Sequence, residues 1–215
     1  MSTRPCIFFI LLAFNLSLAE AASAHPHASI DVTVEVNFDK AGHVTSLRQT
    51  WLFDEFYTSF ALEGLPRDKA GKPDPKKLNA LFIQNIKNLE PYHYYTLVES
   101  AGARIAFEKV PDVFTRMVGN RIEMTFTLPF SKPLALQRAA LRYAIFDPSY
   151  YIEMLHIQAA NAITLKGAPQ GCSFKLEKPE PDPKAVALAY AIDQTQTGGD
   201  GLGLNFAEWV TVQCP

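Results

Sequence analysis

The segment from residue 27 to residue 38 constrains the fold of this chain more than any other. Polar and apolar residues alternate without a break from His27, through Asp31, to Phe38. An alternation of this length indicates a strand that is buried on one face and solvated on the other. The pattern places His27 and Asp31 on the same solvent-facing side. Residues 39–42 form a turn signal, and residues 43–53 are predicted to return as a second strand.

The rest of the chain continues this strand-rich pattern and adds helices. Asp74-Pro75 and Asp182-Pro183 each supply an N-cap acceptor followed by proline at the first helical position. Residues 54–62 are a weaker helix candidate. Further strands are predicted at 92–98, 104–108, 121–130, 141–146, 162–165, 172–177 and 208–213. We therefore predict an α+β fold, mainly antiparallel β with a sandwich-like core, on which two or three helices pack.

Residues 1–24 have the pattern of a cleavable signal peptide. A single arginine precedes an apolar segment over 7–19, and Ala22-Ser23-Ala24 forms a small-x-small cleavage signal. Cleavage there predicts an exported protein that opens at His25 and forms one domain over 25–215. The cysteine at position 6 precedes the apolar segment, and no later segment is long enough to span a bilayer, so no membrane anchor is expected.

Composition and motifs exclude several functions. The chain has a formal net charge of −2, and loss of residues 1–24 leaves this balance unchanged. No basic surplus indicates a nucleic-acid partner. The sequence has no G-x-S-x-G, no phosphate-binding glycine loop, no H-E-x-x-H and no dinucleotide-binding glycine motif. These observations predict a protein that is not an enzyme.

Two cysteines, Cys172 and Cys214, remain after the predicted cleavage. In an oxidising compartment two cysteines most often pair, so we predict a disulfide between them. The alternative is a pair of thiolate metal ligands. Neither cysteine stands in a C-x-x-C motif, which weakens this alternative.

The run His25-Pro26-His27 is the first candidate for chemistry. An amino-terminal His25 offers an amine and an imidazole that can chelate one metal ion, and His27 can add a third nitrogen. Such nitrogens suit nickel, cobalt, copper or zinc. Pro26 excludes a copper mode that needs a deprotonated backbone amide at this position, because proline has no N–H. The alternative is a disordered end with two solvated histidines.

A second candidate lies between residues 146 and 156, where Asp147, Tyr150, Tyr151, Glu153 and His156 are concentrated. A helix here would place Glu153 and His156 on one face, as in carboxylate-bridged metal sites. A strand would place them on opposite faces, out of reach of one ion. The β-branched and aromatic composition favours a turn followed by a strand. The structural alternative is a tyrosine corner with a hydrogen-bonded glutamate and histidine.

A third candidate is the aromatic segment 51–57, in which Asp54 and Glu55 form an acidic pair. The structural alternative is that Asp54 caps a helix and Glu55 is solvated. His43 and His93 are expected to be structural or exposed. The expected metal ligands are His25, His27, Asp31, Glu153 and His156. Residues that could support these ligands are Asp54, Glu55, Asp147, Tyr150 and Tyr151.

Five segments together, 25–27, 49–56, 147–156, 167–172 and 210–215, resemble a bacterial periplasmic family of unknown function. Members of that family are labelled the periplasmic component of an uncharacterised transport system. They often accompany nickel/cobalt-type permeases. The resemblance implies export, association with a membrane metal permease and a role in metal handling. It brings no established reaction or ligand set.

The expected function is therefore a periplasmic metal-binding accessory protein of a transition-metal transport system. One alternative is a metal-free solute-binding or permease-interaction protein, which would have an aromatic-lined cleft near Trp51, Tyr57 and Tyr151. Another is a copper-dependent oxidative enzyme, in which Tyr150 or Tyr151 would lie near an amino-terminal copper ion.

Overall fold

The structure is a computed structural model that describes residues 26–137, 139–192, 199 and 201–215. The predicted signal peptide and His25 lie outside the described residues. Eleven strands and three helices occur in the described part of the chain. The strands are β1 (Ala28–Phe38), β2 (Val44–Phe53), β3 (Thr96–Ser100), β4 (Ala103–Arg104), β5 (Val113–Val118), β6 (Arg121–Leu134), β7 (Leu141–Ile145), β8 (Ile152–His156), β9 (Ile163–Lys166), β10 (Ser173–Glu177) and β11 (Trp209–Gln213). The helices are α1 (Glu55–Ala61), α2 (Pro75–Leu89) and α3 (Pro183–Ala191).

The strands form two sheets. The first has the order β5-β6-β2-β1-β8, and β9 also pairs with β1. The second has the order β10-β11-β7-β3-β4. All pairs are antiparallel except β1 with β8 and β1 with β9, which are parallel. Buried side chains from both sheets belong to one hydrophobic core, and the predicted α+β fold with a β-rich core is confirmed.

The alternation in β1 explains its place in the core. Ile30, Val32, Val34 and Val36 are all buried, and the residues between them are partly exposed. Burying a Val or Ile side chain contributes about 1.5–3 kcal/mol. A register slip of one residue would turn these side chains to solvent, so the pattern also fixes the register.

The three helices begin as their sequence signals predict. Asp54, Asp74 and Asp182 each accept a hydrogen bond from a backbone N–H in the first helical turn. Such caps satisfy amide groups that would otherwise have no partner within the helix. The apolar face of α2 packs inward through Leu78, Phe82 and Ile86. None of the helices in the described residues is long and apolar enough to cross a membrane.

The predicted disulfide is confirmed. Cys172 and Cys214 are bonded, with their Cα atoms 4.1 Å apart. The bond joins the chain just before β10 to the chain just after β11, its antiparallel neighbour. Both thiols are therefore consumed, and the pair is not a thiolate metal site.

The turn after β7 is built around Asp147 and touches a later part of the chain. The Asp147 carboxylate accepts hydrogen bonds from the backbone N–H groups of Ser149 and Ile152. β8 follows directly, so the predicted turn-then-strand is confirmed. The N–H of Gly203 donates to the carbonyl of Pro148 at 3.0 Å. A Cβ atom at position 203 would lie 1.8 Å from the Asp147 carbonyl oxygen, so this contact requires glycine.

The structure differs from the predicted elements in three places. The predicted strand 92–98 begins only at Thr96, because residues 90–95 form a tight, partly left-handed turn. The predicted strand 104–108 is reduced to β4 and an isolated bridge between Phe107 and Phe130. The strand β5 was not predicted.

Candidate functional site

The parallel pairing of β1 with β8 brings two of the candidate segments together. Ser29 lies beside Glu153 in this register. One step earlier, the N–H of His27 donates to the Tyr151 carbonyl at 2.9 Å. The His27 and Tyr151 rings pack with their centroids 4.7 Å apart. We call the group of His27, Ser29, Asp31, Tyr151 and Glu153, on one face of these two strands, the amino-terminal edge.

Glu153 is the carboxylate at this edge with the most perturbed environment. Burial raises the pKa of Glu153, a hydrogen bond with Tyr150 opposes this, and the charge of Glu208 raises it further. The Tyr150 ring stacks on Phe206 at a centroid distance of 3.8 Å. Burial, together with the charge of Glu153, raises the pKa of Tyr150 to about 12. A carboxylate in this setting favours a nearby cation, because a positive charge would offset its lost hydration.

Asp31 is already engaged at the same edge. Its carboxylate lies 2.9 Å from Nη1 of Arg121. The same guanidinium donates to the carbonyl oxygens of Phe53 and Leu52, at 2.6 and 2.9 Å. Arg121 thus ties β6 to the end of β2 and to β1. Asp31 would have to leave this ion pair to coordinate a metal ion.

Asp54 and Asp147 serve the backbone. Asp54 accepts hydrogen bonds from the N–H groups of Tyr57 at 2.7 Å and Ser29 at 2.5 Å, so it caps α1 and holds β1 at once. Glu55, by contrast, is exposed. Asp147 shapes the turn before β8. The geometry therefore agrees with the structural alternative, in which Asp54 caps a helix and Glu55 is solvated. Asp54 also supports the amino-terminal edge through its bond to Ser29.

His156 lies on the other face of β8. It is 4% exposed, and its Nδ1 atom lies 2.9 Å from Oε2 of Glu208. The same oxygen accepts the backbone N–H of His156 at 2.7 Å. Because β8 is a strand, Glu153 and His156 lie on opposite faces, and their side chains do not share one site.

Glu208 is a partner that the sequence analysis missed. It is 3% exposed and lies just before β11, far from His156 in sequence. The available signal was the strand pattern of β8, which puts His156 on the same face as buried Met154. A buried imidazole requires a polar partner, although the pattern cannot say which residue supplies it.

No group of three or more His, Cys, Asp or Glu residues with a geometry suited to a metal ion occurs within residues 26–137, 139–192, 199 and 201–215. His25, which the sequence analysis places at the centre of the metal site, lies outside these residues. A metal centre at the amino-terminal edge therefore depends on the amine and imidazole of His25.

An aromatic cavity of about 220 Å³ lies between the first sheet and α2. Trp51, Tyr57 and Tyr95 line it, together with Phe53, whose ring stacks on Tyr57 at a centroid distance of 4.8 Å. Tyr151 does not line this cavity. The volume falls below the range of about 300–1,000 Å³ that is typical of sites for small molecules.

A larger cavity of about 870 Å³ lies beside the second sheet. Its walls are the segments 90–98 and 104–109, and Phe146, Pro148, Gly201 and Leu204 complete the lining. We call this cavity the tyrosine cleft, after Tyr92, Tyr94 and Tyr95 in its first wall. His93, expected to be structural or exposed, also lines it. The sequence contains no sign of this cavity, because residues 92–98 have the composition of an ordinary strand.

Comparisons with known proteins place the chain in a family. The model of one protein family, described as "Protein of unknown function (DUF1007)", matches residues 10–214. A comparison with curated proteins finds no match. Since the family match covers nearly the whole chain, including both sheets and all three helices, this protein belongs to the family described as "Protein of unknown function (DUF1007)".

Proposed function

We propose that this protein is a periplasmic metal-binding accessory protein of a transition-metal transport system. The observation that carries the proposal is the fixed position of His27. Its backbone N–H bonds to the Tyr151 carbonyl at 2.9 Å, and its ring packs on the Tyr151 ring. His25 is two residues away, so its amine and imidazole would reach the same edge of the sheet.

The donor chemistry at this edge suits a borderline divalent cation. The amine and imidazole of His25 and the imidazole of His27 supply nitrogen, and Glu153 supplies a half-buried carboxylate. Nickel, cobalt, copper and zinc accept such mixed nitrogen and oxygen sets. Asp54 supports the edge through Ser29, and Tyr150 holds Glu153 by a hydrogen bond. His156 is not part of this proposed set, because it faces the core.

The same chemistry gives a pH dependence. An α-amine has a reference pKa of about 7.7–8.0 and an imidazole of about 6.5, and both bind metal only when they are deprotonated. Metal affinity is therefore expected to rise from about pH 5 to about pH 8. The protein would release its ion in a more acidic medium.

The location and partner of the protein follow from its sequence rather than from its fold. The signal-peptide pattern of residues 1–24 supports export to the periplasm. The resemblance to a periplasmic family that accompanies nickel/cobalt-type permeases supports a membrane metal permease as partner. The protein would bind the ion reversibly and would not act as an enzyme.

Isothermal titration with nickel, copper and zinc tests the proposal. The reference is protein whose first residue, verified by mass spectrometry, is His25. A variant with one additional alanine before His25 loses the chelating amine, and His27→Ala loses the third nitrogen. Each change is expected to weaken binding by about tenfold or more, equivalent to about 1.4 kcal/mol.

His43→Ala is the matched control, because His43 is a partly exposed histidine whose ring lies 3.5 Å from Asp39, in the turn between β1 and β2. It is expected to leave the affinity unchanged. Equal affinity in the extended protein would remove the amine from the site. Equal affinity in the extended protein, His27→Ala and His43→Ala would overturn the proposed metal site as a whole.

A further inference from the structure

The tyrosine cleft has the size of a site for one small organic molecule. Its volume of about 870 Å³ lies within the range of about 300–1,000 Å³ found for such sites. Tyr92, Tyr95 and Phe146 are aromatic residues that line it. The centroids of the Tyr92 and Tyr95 rings lie 6.3 Å apart, and the ring planes are inclined at 62°. Walls of this kind favour a ligand with an aromatic ring, which can pack face-on or edge-on against them.

The first wall contains an unusual backbone. His93, Tyr94 and Tyr95 have φ values of 52°, 55° and 54°, so three consecutive residues other than glycine are left-handed. Each such residue costs about 1–2 kcal/mol relative to the right-handed conformation. Backbone strain of this kind persists only where the surroundings fix it, and it is concentrated at functional sites.

A buried chain of hydrogen bonds fixes this strained segment. Nε1 of Trp51 donates to Oε1 of Gln49, and Nε2 of Gln49 donates to Oγ1 of Thr96, both at 2.9 Å. The Thr96 hydroxyl then donates to the Tyr94 carbonyl, also at 2.9 Å. Gln49, Trp51 and Thr96 are all at most 4% exposed. The core of the first sheet thus determines the shape of a wall in the second.

The second wall, segment 104–109, is held by backbone hydrogen bonds to both sheets. The N–H of Ile105 donates to the Val98 carbonyl of β3. The N–H of Ser131 donates to the Ala106 carbonyl, and the backbone N–H of Glu108 donates to the Pro129 carbonyl of β6. Both walls are therefore preformed, so a ligand would not have to order them on binding.

The charges on this wall indicate the polar groups of the ligand. Lys109 pairs with Glu90 at 3.4 Å, so these two lining charges offset each other. Arg104 and Glu108 are exposed lining residues, and neither forms an ion pair within the described part of the chain. Burial alternates along this segment, which places both on one side with the small Ala106 between them.

We propose that the tyrosine cleft binds a small aromatic zwitterion, such as an aromatic amino acid. The guanidinium of Arg104 would bind the carboxylate, and the carboxylate of Glu108 would bind the ammonium group. The aromatic rings would pack against the ligand ring. The four lining charges sum to zero, which favours a ligand with no net charge over an anion or a cation. The proposal does not rest on the metal site.

Titration with three compounds that share one ring tests this assignment. Tryptophan is the zwitterion, indole-3-propionate is the anion and tryptamine is the cation. The full processed protein is expected to bind tryptophan more tightly than either of the other two. Arg104→Gln should weaken tryptophan binding by about five- to tenfold, a modest factor because solvent partly screens an exposed contact. It should leave tryptamine binding unchanged, because tryptamine has no carboxylate. Glu108→Gln should weaken tryptophan binding and leave indole-3-propionate binding unchanged.

Matched controls keep the test specific. Arg48→Gln and Glu55→Gln change the same charges at exposed positions outside the cleft and should have no effect. Tyr92→Leu, at a residue 56% exposed, should weaken all three compounds alike without affecting folding. The proposal would be overturned if none of the three compounds bound saturably up to millimolar concentration. Tighter binding of the anion or the cation, or unchanged tryptophan binding in Arg104→Gln, would also overturn it.

Discussion

The amino-terminal edge and the tyrosine cleft use polar groups in opposite ways. At the edge, Asp31 is paired with Arg121, and Asp54 is bonded to two backbone amides, so these carboxylates hold strands in place. At the cleft, the buried Gln49 lies outside the lining and bonds to Thr96 in the wall, so the cleft itself stays open. A concentration of carboxylates in a sequence is thus a poor guide to an open site, whereas buried polar residues can shape one.

The turn that follows β7 connects the two regions. Phe146 and Pro148 line the cleft. Two residues further along, Tyr150 holds Glu153 by a hydrogen bond, and Tyr151 packs on His27. Variants in this turn should therefore disturb both regions, and variants on either side of it should disturb only one.

The largest loss of stability is expected from Gly203→Ala, because this change displaces the turn that both regions share. The new Cβ atom would lie 1.8 Å from the Asp147 carbonyl oxygen, so the turn would have to move. We expect a loss of about 3 kcal/mol in the free energy of unfolding. Urea denaturation measures it. Gly102→Ala is the control, since its Cβ atom would meet nothing within 4 Å and the change costs only the left-handed penalty of about 1–2 kcal/mol. Equal losses in both variants would contradict the close contact.

A smaller effect, confined to the cleft, is expected from Gln49→Leu. The change leaves the buried Nε1–H of Trp51 without its acceptor and releases Thr96, at a cost of about 2 kcal/mol. Tryptophan affinity should fall as well, while metal affinity should not change. Gln84→Leu is the control on the exposed surface of α2, with an expected change within about 0.5 kcal/mol. Unchanged stability in Gln49→Leu would show that the strained wall has another support.

Arg121→Met should affect only the edge. It removes the ion pair to Asp31 and two hydrogen bonds to the end of β2, with an expected cost of about 1–1.5 kcal/mol. Tryptophan binding should be unchanged. Arg116→Met, at an exposed ion pair with Glu123, is the control and should leave stability unchanged, because solvent screens the pair. A loss of tryptophan affinity in Arg121→Met would show that the two regions are coupled.

The smallest effect is a pH dependence at Glu153. Since the pKa of this group is raised in the folded protein, the native state favours the protonated form. Its contribution to stability is present below the ordinary pKa of 4.5 and is lost as the pH rises through the folded value. Glu153→Gln should therefore stabilise the protein at pH 7 by roughly a few tenths of a kcal/mol, because solvent screens a half-exposed group.

At pH 4 the gain from Glu153→Gln should disappear, which thermal unfolding at the two pH values measures. Glu55→Gln is the matched control, because Glu55 is an exposed carboxylate one residue after the cap of α1. It should give no pH-dependent difference. A larger gain at pH 4 than at pH 7 would reverse the sign of the argument.

Local sequence signals predicted much of the fold. The alternation over 27–38 predicted β1 to within one residue, and the two Asp-Pro pairs predicted the starts of α2 and α3. These signals depend on residues close in sequence. The parallel pairing of β1 with β8 and β9 depends on residues far apart, so the sequence alone could not show that His27 meets Tyr151.

The tyrosine cleft was beyond prediction for a related reason. The composition of residues 92–95 favours a strand, whereas the left-handed turn is held by tertiary bonds, among them the Thr96 hydroxyl to the Tyr94 carbonyl and the Phe146 N–H to the Tyr95 carbonyl. Non-glycine residues adopt this conformation rarely, and tertiary bonds decide where they do. The buried pair of His156 and Glu208 was equally hidden, because a strand pattern shows that His156 faces the core but not what it meets there.

The pairing of β1 also sets the order in which the protein can be completed. Strand β1 pairs on one side with β2, which follows it directly in sequence. On its other side it pairs with β8 and β9, which lie within residues 152–166. Contacts between distant segments form slowly, because a long loop must close before they bring any gain. His27 therefore reaches its position against Tyr151 late in folding, so the amino-terminal edge is complete only when most of the domain has assembled.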